Sequence, residues 1–551
     1  MKIAIAQINP TIGDLAHNSQ KILDFTSRAK KLGAELIIFP ELSLPGYPPK
    51  DLLVRRDFLA DQIAALGRIS RECKISAIVG AAILEETNKA PFNAAVLCQN
   101  GQWHVVAKKL LLPNYNVFDE KRYFRTPSDH ACQVLDFFDK KLLISICEDA
   151  WSNEVIEGQE KYNFDPIDNA VRAIGPVDAI INITSSPYSM SKPMTRKGIF
   201  TTLAKTHRTT VLVAGQVGAN DQLLFDGQSM VIDQTGEITG YATPCQEDLV
   251  LHQLGAPINN PGSLDLMDGY DLLLEALAMG IRDYVEKCQS GGVIVGVSGG
   301  IDSAVCLALA VRALGQKRVR AIFLPSQFTS AQSESDAELL TKNLSLTLEV
   351  LAIEDAVNQL RSLFLKQQAH ASAYEADIFD QNLQSRVRGL LIMGLTNLCN
   401  YLMLTTSNKS ELAVGYSTIY GDMCGAFSPI GDLYKTQVWK LAHTINKHQE
   451  IIPNSIINRP PTAELKHNQL DTDSLPDFTV LDEILFNFIE LEKSASEIET
   501  ITKLPRSLID EIIKKISIAE YKRRQAPFPL MVSDKVFGDA RRLPIAKRMS
   551  V

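Results

Sequence analysis

The sequence predicts an α/β protein built in two parts, and three observations carry that prediction. In the first half, short apolar runs alternate with polar turns and amphipathic stretches. Residues 3–6, 36–39, 77–80, 142–146, 179–183 and 211–214 each read as a strand, the pattern of a layered α/β domain. In the second half, the apolar run that ends at Val297 passes through a glycine turn into a helical stretch ending at Leu314. Strand and helix alternate again through residues 319–324 and 402–406, which predicts a doubly wound parallel sheet. Finally, 551 residues exceed what a single hydrophobic core organises.

Each part has its own boundary signals. Residues 254–270 are dense in Gly, Pro and Asn without periodicity and read as a linker, leaving domains at 1–253 and 271–551. A helix from Asp271 leads into the strand before the glycine turn, and the basic, proline-interrupted tail runs from Tyr521 through Arg541.

Composition narrows the function. Apolar residues make up 45% and charged residues 22%, an ordinary globular balance. A formal net charge of −8 argues against a nucleic-acid partner and suits an enzyme of small molecules. Nine cysteines without a C-x-x-C pair indicate neither a disulfide framework nor a zinc ribbon, so a reducing cytoplasm is expected. The N-terminus alternates rather than forming a signal-peptide core, and no apolar run is long enough to cross a bilayer.

The glycine turn is a phosphate site by its chemistry. Gly299 and Gly300 let the backbone curl and aim successive N–H groups at one anion, next to a helix N-terminus. Gly296, Val297 and Ile301 frame the turn, and Ser298 and Ser303 add hydroxyl donors. Asp302 would repel a bare phosphate, so a hard cation, Mg²⁺, is expected between it and the nucleotide. A Walker loop would continue with Lys-Ser or Lys-Thr, and no lysine stands there. Gly296, Ser298 and Gly300 also fit a nucleophile elbow, which needs a late histidine; His443, His448 and His467 follow. The stretch from Ser298 to Ser303 resembles the loop of N-type ATP pyrophosphatases, which implies cleavage between the α and β phosphates and an adenylated substrate.

Three fragments of the first half stand at the ends of apolar runs: Phe39-Pro40-Glu41, Lys109 with the leucines and Pro113-Asn114 behind it, and Ile146-Cys147-Glu148-Asp149. Together they resemble the Glu-Lys-Cys site of the nitrilase superfamily, which implies an α-β-β-α sandwich. The resemblance makes Cys147 the nucleophile, Glu41 the general base and Lys109 the stabiliser of the tetrahedral oxyanion. A cysteine is mostly protonated near neutral pH, so a carboxylate that takes its proton and a fixed ammonium that favours the anions address both barriers. Glu120 resembles the second glutamate of the superfamily, which positions the lysine or the substrate. Tyr115, Ser186 and Lys192 resemble the glutamine pocket of its glutaminase members, with Lys192 set to meet the α-carboxylate.

An ammonia-releasing domain ahead of an adenylating domain implies a glutamine-dependent synthetase. From Glu41 to Arg541 the chain resembles the glutamine-dependent NAD⁺ synthetase family, whose members convert deamido-NAD⁺, ATP and glutamine to NAD⁺, AMP, pyrophosphate and glutamate. The resemblance assigns Asn382, Glu411 and Lys522 to deamido-NAD⁺, and Thr406 and Lys435 to ATP. Glu411 pairs with Asp302 as a Mg²⁺ ligand. It further implies an internal ammonia channel and a homo-oligomer, an octamer. The rivals are another glutamine-driven AMP-forming amidation and a nucleotide-sensing protein whose sites have decayed; the intact Cys147, Glu41, Lys109 and Asp302 speak against decay.

Overall fold

The computed structural model describes residues 1–86, 89–154, 162–255, 267, 269–365, 373–467, 469 and 471–547. Most of the stretch read as a linker lies outside them. The chain divides into two compact units, Met1–Asp268 and Gly269–Val551.

The first unit holds two six-stranded sheets. One runs in the order Asp248–Gln253, Lys2–Gln7, Leu36–Ile38, Ser76–Ile83, Phe92–Gln99, Gln102–Lys108. The other runs Ile238–Tyr241, Met230–Ile232, Thr210–Gly215, Ala179–Thr184, Lys140–Ile146, Gln133–Phe137. Alternation along each strand sorts the layers. Ile3 and Ile5, with Leu142, Ile144 and Ile146 of the other sheet, share a core between the sheets. Ala4 and Ala6 point the opposite way, to a core with Ile22, Phe25, Leu66 and Ile69 of the helices Leu15–Lys31 and Arg56–Glu72. Leu143 and Ile180 likewise turn outward to Ile167, Phe200 and Ala204 of the helices Pro166–Ile174 and Lys192–His207. This is a nitrilase-like α-β-β-α sandwich.

The second unit carries a four-stranded parallel sheet in the order Leu348–Val350, Val319–Phe323, Gly292–Val297, Tyr401–Leu404. The reversal of strand order at Gly292–Val297 leaves a crevice at its carboxyl end, where doubly wound sheets place ligands. Ile294 and Ile322 pack with Val357, Leu383, Val387 and Ile392, from the helices Glu354–Leu365 and Ala373–Cys399. The helix Ile301–Leu314 returns against the same two central strands and onto the helix Gly269–Lys287. A further helical layer gathers Leu481, Leu485, Ile512 and Ile516 around Leu412 and Tyr434. Among the described residues, no helix is long and apolar enough to cross a membrane.

Candidate active sites

In the first unit, Glu41, Lys109 and Cys147 each follow a strand, Leu36–Ile38, Gln102–Lys108 and Lys140–Ile146 respectively. The turn bearing Glu41 lies flat on the neighbouring strand, and only glycine permits this. A Cβ on Gly80 would stand 2.4 Å from Pro40 O and 2.7 Å from Glu41 C. Cys147 adopts φ +46° where its strand turns into the single 3₁₀ turn Cys147–Ala150, a left-handed bend in a non-glycine residue.

The charges form one locked cluster. Lys109 Nζ donates to Glu41 Oε1 (2.7 Å) and to Glu120 Oε1 (2.8 Å), with Lys109 1% exposed and Glu41 0%. Asn93 Nδ2 donates to Glu41 Oε1 (2.7 Å), the Ser185 backbone N–H to Glu41 Oε2 (2.9 Å), and Tyr47 Oη to Glu120 Oε1 (2.8 Å). Burial works against the Lys109 ammonium, yet Glu120 and Glu41 hold its pKa well above the ordinary lysine range. Burial pushes the Glu120 carboxyl up to about 7, against the pull of Lys109. The Cys147 thiol is driven well above its ordinary range, first by burial and then by the charge of Glu41, while Lys109 and the Thr184 hydroxyl oppose the rise. Burial and the neighbouring carboxylate thus both favour the neutral thiol over the thiolate.

Asp149 fastens the parts. Its Oδ1 accepts the backbone N–H of Leu110 (3.0 Å) and Leu111 (2.9 Å), directly after the lysine, and its Oδ2 accepts that of Ile146 (3.0 Å), directly before the cysteine. Nearby, Glu148 receives the hydroxyls of Tyr115 (3.2 Å) and Tyr162 (2.9 Å). Lys192 Nζ lies 4.5 Å from the ring centroid of Trp151, and Ser186 is buried at the end of the strand Ala179–Thr184. Tyr47, Asn93, Ser185, Glu148 and Asp149 extend the set read from sequence. The Tyr47 and Asn93 contacts carry no local signal, since each is made by a remote segment.

In the second unit the phosphate loop opens a cavity of about 530 Å³. Gly296 through Ser303 line it, and so do Asn382, Thr406, Glu411, Lys435 and Lys522, residues up to 226 positions apart in the chain. Gly299 has φ +80°, and a Cβ there would stand 2.5 Å from Ser333 O, so the loop hugs the helix Ala331–Asn343. Ser298 Oγ accepts the Gly300 N–H (3.2 Å) and lies 3.1 Å from Ser303 Oγ. Among the described residues no histidine lines the cavity, which removes the nucleophile-elbow reading of Ser298.

Asp302 and Glu411 flank Lys435. The lysine ammonium bonds Asp302 Oδ2 and lies 3.7 Å from Glu411 Oε1, while Asn408 Nδ2 donates to Asp302 Oδ1 (3.0 Å). Asn408 caps the helix Lys409–Val414, accepting the Glu411 N–H (3.0 Å), and this places the glutamate on the cavity wall. Burial, then the charge of Asp302, pushes the Glu411 carboxyl up to about 8. Two carboxylates that share one ammonium are a donor pair suited to a divalent cation completed by phosphate oxygens. Among the described residues, no group of three or more His, Cys, Asp or Glu side chains could hold a metal alone. At the far side, Thr418 Oγ1 donates to Asn382 Oδ1 (2.7 Å), and Lys522 Nζ donates to Gly415 O (2.7 Å) and Ser417 O (2.6 Å).

A buried thiol beside a carboxylate–ammonium pair, carried with a glycine-loop nucleotide crevice, defines a two-domain amidotransferase of the nitrilase plus ATP-pyrophosphatase type. The carbon-nitrogen hydrolase family matches residues 2–158 and the NAD synthase family residues 273–526. A glutamine-dependent NAD⁺ synthetase of Synechocystis sp. is 38% identical over 99% of this chain and 98% of its own length. One from Acinetobacter baylyi is 37% identical over the same shares. The chain belongs to the glutamine-dependent NAD⁺ synthetase family. Among solved structures, the Acinetobacter baumannii enzyme in complex with ADP is 36% identical and superposes with a TM-score of 0.75 over 99% of this chain and 98% of that one. The Cytophaga hutchinsonii enzyme, 20% identical, shares the fold with a TM-score of 0.82 over the same shares.

Proposed function

We propose that the chain amidates deamido-NAD⁺ to NAD⁺, consuming ATP and glutamine and releasing AMP, pyrophosphate and glutamate. The observation that carries this reading is the pairing, in one polypeptide of that family, of the Glu41–Lys109–Glu120 cluster at Cys147 with a crevice that gathers Asp302, Thr406, Glu411 and Lys435 beside Asn382 and Lys522. ADP bound to the Acinetobacter baumannii relative supports a nucleotide in that crevice.

In the first unit Glu41 takes the Cys147 proton as sulfur attacks the glutamine carboxamide. Lys109, held on both sides by carboxylates, faces the oxyanion, and Glu41 returns the proton to the departing ammonia. Tyr115, Ser186 and Lys192 orient the substrate. Water then releases glutamate from the thioester.

In the second unit the N–H groups of the loop and the Lys435 ammonium bind the triphosphate, while Asn382 and Lys522 seat the dinucleotide. Asp302 and Glu411 would hold Mg²⁺, which when bound offsets phosphate charge. The nicotinate carboxylate forms a bond to the α-phosphorus and pyrophosphate leaves with the electron pair. Ammonia then displaces AMP. The ammonia passes between the sites inside the protein, because near neutral pH in water it becomes ammonium, which has no lone pair. The family resemblance extends the reading to a cytoplasmic homo-oligomer, an octamer, which light scattering checks.

The test is a product balance. Given glutamine, Mg²⁺, ATP and deamido-NAD⁺, the protein yields NAD⁺, AMP and pyrophosphate in equal amounts. Formation of ADP and orthophosphate would sink the reading.

A further inference from the structure

Arg459 lines the nucleotide cavity together with Gly299, Gly300 and Asp302. Its guanidinium donates from Nη1 to Ser333 Oγ (2.7 Å) and from Nη2 to Ser330 Oγ (3.1 Å) and Glu464 Oε1 (2.7 Å). Ser333 is the residue whose backbone lies against the phosphate loop, 2.5 Å from where a Gly299 Cβ would stand. The guanidinium is thus one residue removed from the loop amides. Two of its three partners are neutral hydroxyls.

The other cations lining the cavity are Arg388, whose Nε donates to Leu324 O (3.0 Å), Lys435 and Lys522. Lys435 lies between Asp302 and Glu411, and Lys522 donates to two backbone carbonyls. The Arg459–Glu464 pair keeps 23% and 17% exposure, so incoming oxygens can reach it. A guanidinium presents a planar fork of donors that matches adjacent phosphate oxygens. The loop carries no lysine of its own, so side-chain cations reach the triphosphate from other elements: Lys435, and, through Ser333 against Gly299, Arg459.

We propose that Arg459 is a phosphate-binding residue of this site, exchanging Glu464 for the β- and γ-phosphate oxygens of the nucleotide and holding the pyrophosphate as it departs. This rests on the adenylating reading above. As the bond between the α-phosphorus and the bridging oxygen breaks, negative charge grows on the leaving pyrophosphate, and a fork placed there binds the transition state more strongly than the ground state. Glu464 is the partner that occupies the guanidinium until the nucleotide arrives.

The experiment uses the full-length protein with ammonia as nitrogen donor. It compares wild type with Arg459→Ala, Arg459→Lys and Glu464→Gln, reading inhibition by inorganic pyrophosphate, KM for MgATP and KM for deamido-NAD⁺. Arg459→Ala raises the pyrophosphate inhibition constant and the ATP KM about tenfold or more, leaves the dinucleotide KM within about twofold, and Arg459→Lys falls between, as expected for loss of a bidentate pair. Glu464→Gln removes the charge that competes for the fork, leaving only a neutral acceptor, and lowers the pyrophosphate constant. A purely structural Arg459 would leave the pyrophosphate constant unmoved in both Arg459→Ala and Glu464→Gln, and that result overturns the proposal. Should Arg459→Ala not fold, an unmoved constant in Glu464→Gln decides against it. Wild type producing ADP would instead strike the adenylating reading itself.

Discussion

The two units handle charge in opposite ways. Around Cys147 the ionic groups face each other: Lys109 donates to Glu41 and Glu120, and those two side chains are fixed by Asn93, Ser185 and Tyr47, all of them buried. In the second unit Asp302, Lys435, Glu411, Lys522 and Arg459 are arranged around a space of about 530 Å³. A carboxamide, neutral at the reacting group, needs a reaction centre whose dipoles are set before it arrives, since every adjustment adds to the barrier. A triphosphate and a dinucleotide bring several charges of their own, and on the reading proposed for Arg459 the pocket meets them with groups that exchange partners. Pre-locking and exchangeability are alternative solutions to the same electrostatic problem, and the size of the ligand's charge separates them.

The largest expected effect tests whether the units are chemically separable. Cys147→Ala abolishes synthesis from glutamine, a fall of about 10⁴-fold or more, and leaves synthesis from ammonium salts near wild type. Loss of both activities would break the comparison. Asp302→Asn does the reverse: NAD⁺ formation from either nitrogen source is lost while glutamate release from glutamine persists, followed by a coupled glutamate assay.

Glu120→Gln sharpens the claim of pre-locking. Removing one of the two carboxylates that hold Lys109 lowers glutaminase kcat by about ten- to a hundredfold, roughly 1.4–2.8 kcal/mol. The same variant has a signature in stability. The Glu120 carboxyl sits near 7 in the fold against an ordinary 4.5, so between those values the native state binds more protons than the unfolded chain. Wild-type stability therefore falls as pH rises through that window, and Glu120→Gln removes this contribution to the fall. Thermal melts of both proteins from pH 4.5 to 7 check the sign. The smallest effect is at the substrate's edge, where Lys192→Met raises the glutamine KM about tenfold with little change in kcat, because a contact equal in ground and transition states is lost.

How much of this was legible depends on where the information sits. Glu41, Lys109 and Cys147 each close an apolar run, and the motif around each survives in a single short fragment. Their supporting contacts do not: Asn93 reaches Glu41 across 52 positions and Ser185 across 144. No local pattern encodes such a meeting. Several strands of the sandwich were readable as short apolar runs, residues 3–6 among them. The strand Phe92–Gln99 was not read, although seven of its eight residues are buried. Leu348–Val350 also escaped, being three residues long and without a fully buried position. In the second unit the glycine turn announced itself, whereas Arg459 became meaningful only once Ser333 was found against Gly299.

The clasp made by Asp149 has a consequence for how this protein can change. By joining Leu110 and Leu111 to Ile146, it closes the intervening chain into a ring whose ends are anchored beside the reactive groups. Lengthening a closed ring costs little, about 0.6 kcal/mol per doubling. Evolution or an engineer can therefore splice new sequence at the exposed residues Ser128 and Asp129 without the ends drifting apart, which makes that surface a natural berth for added regulation.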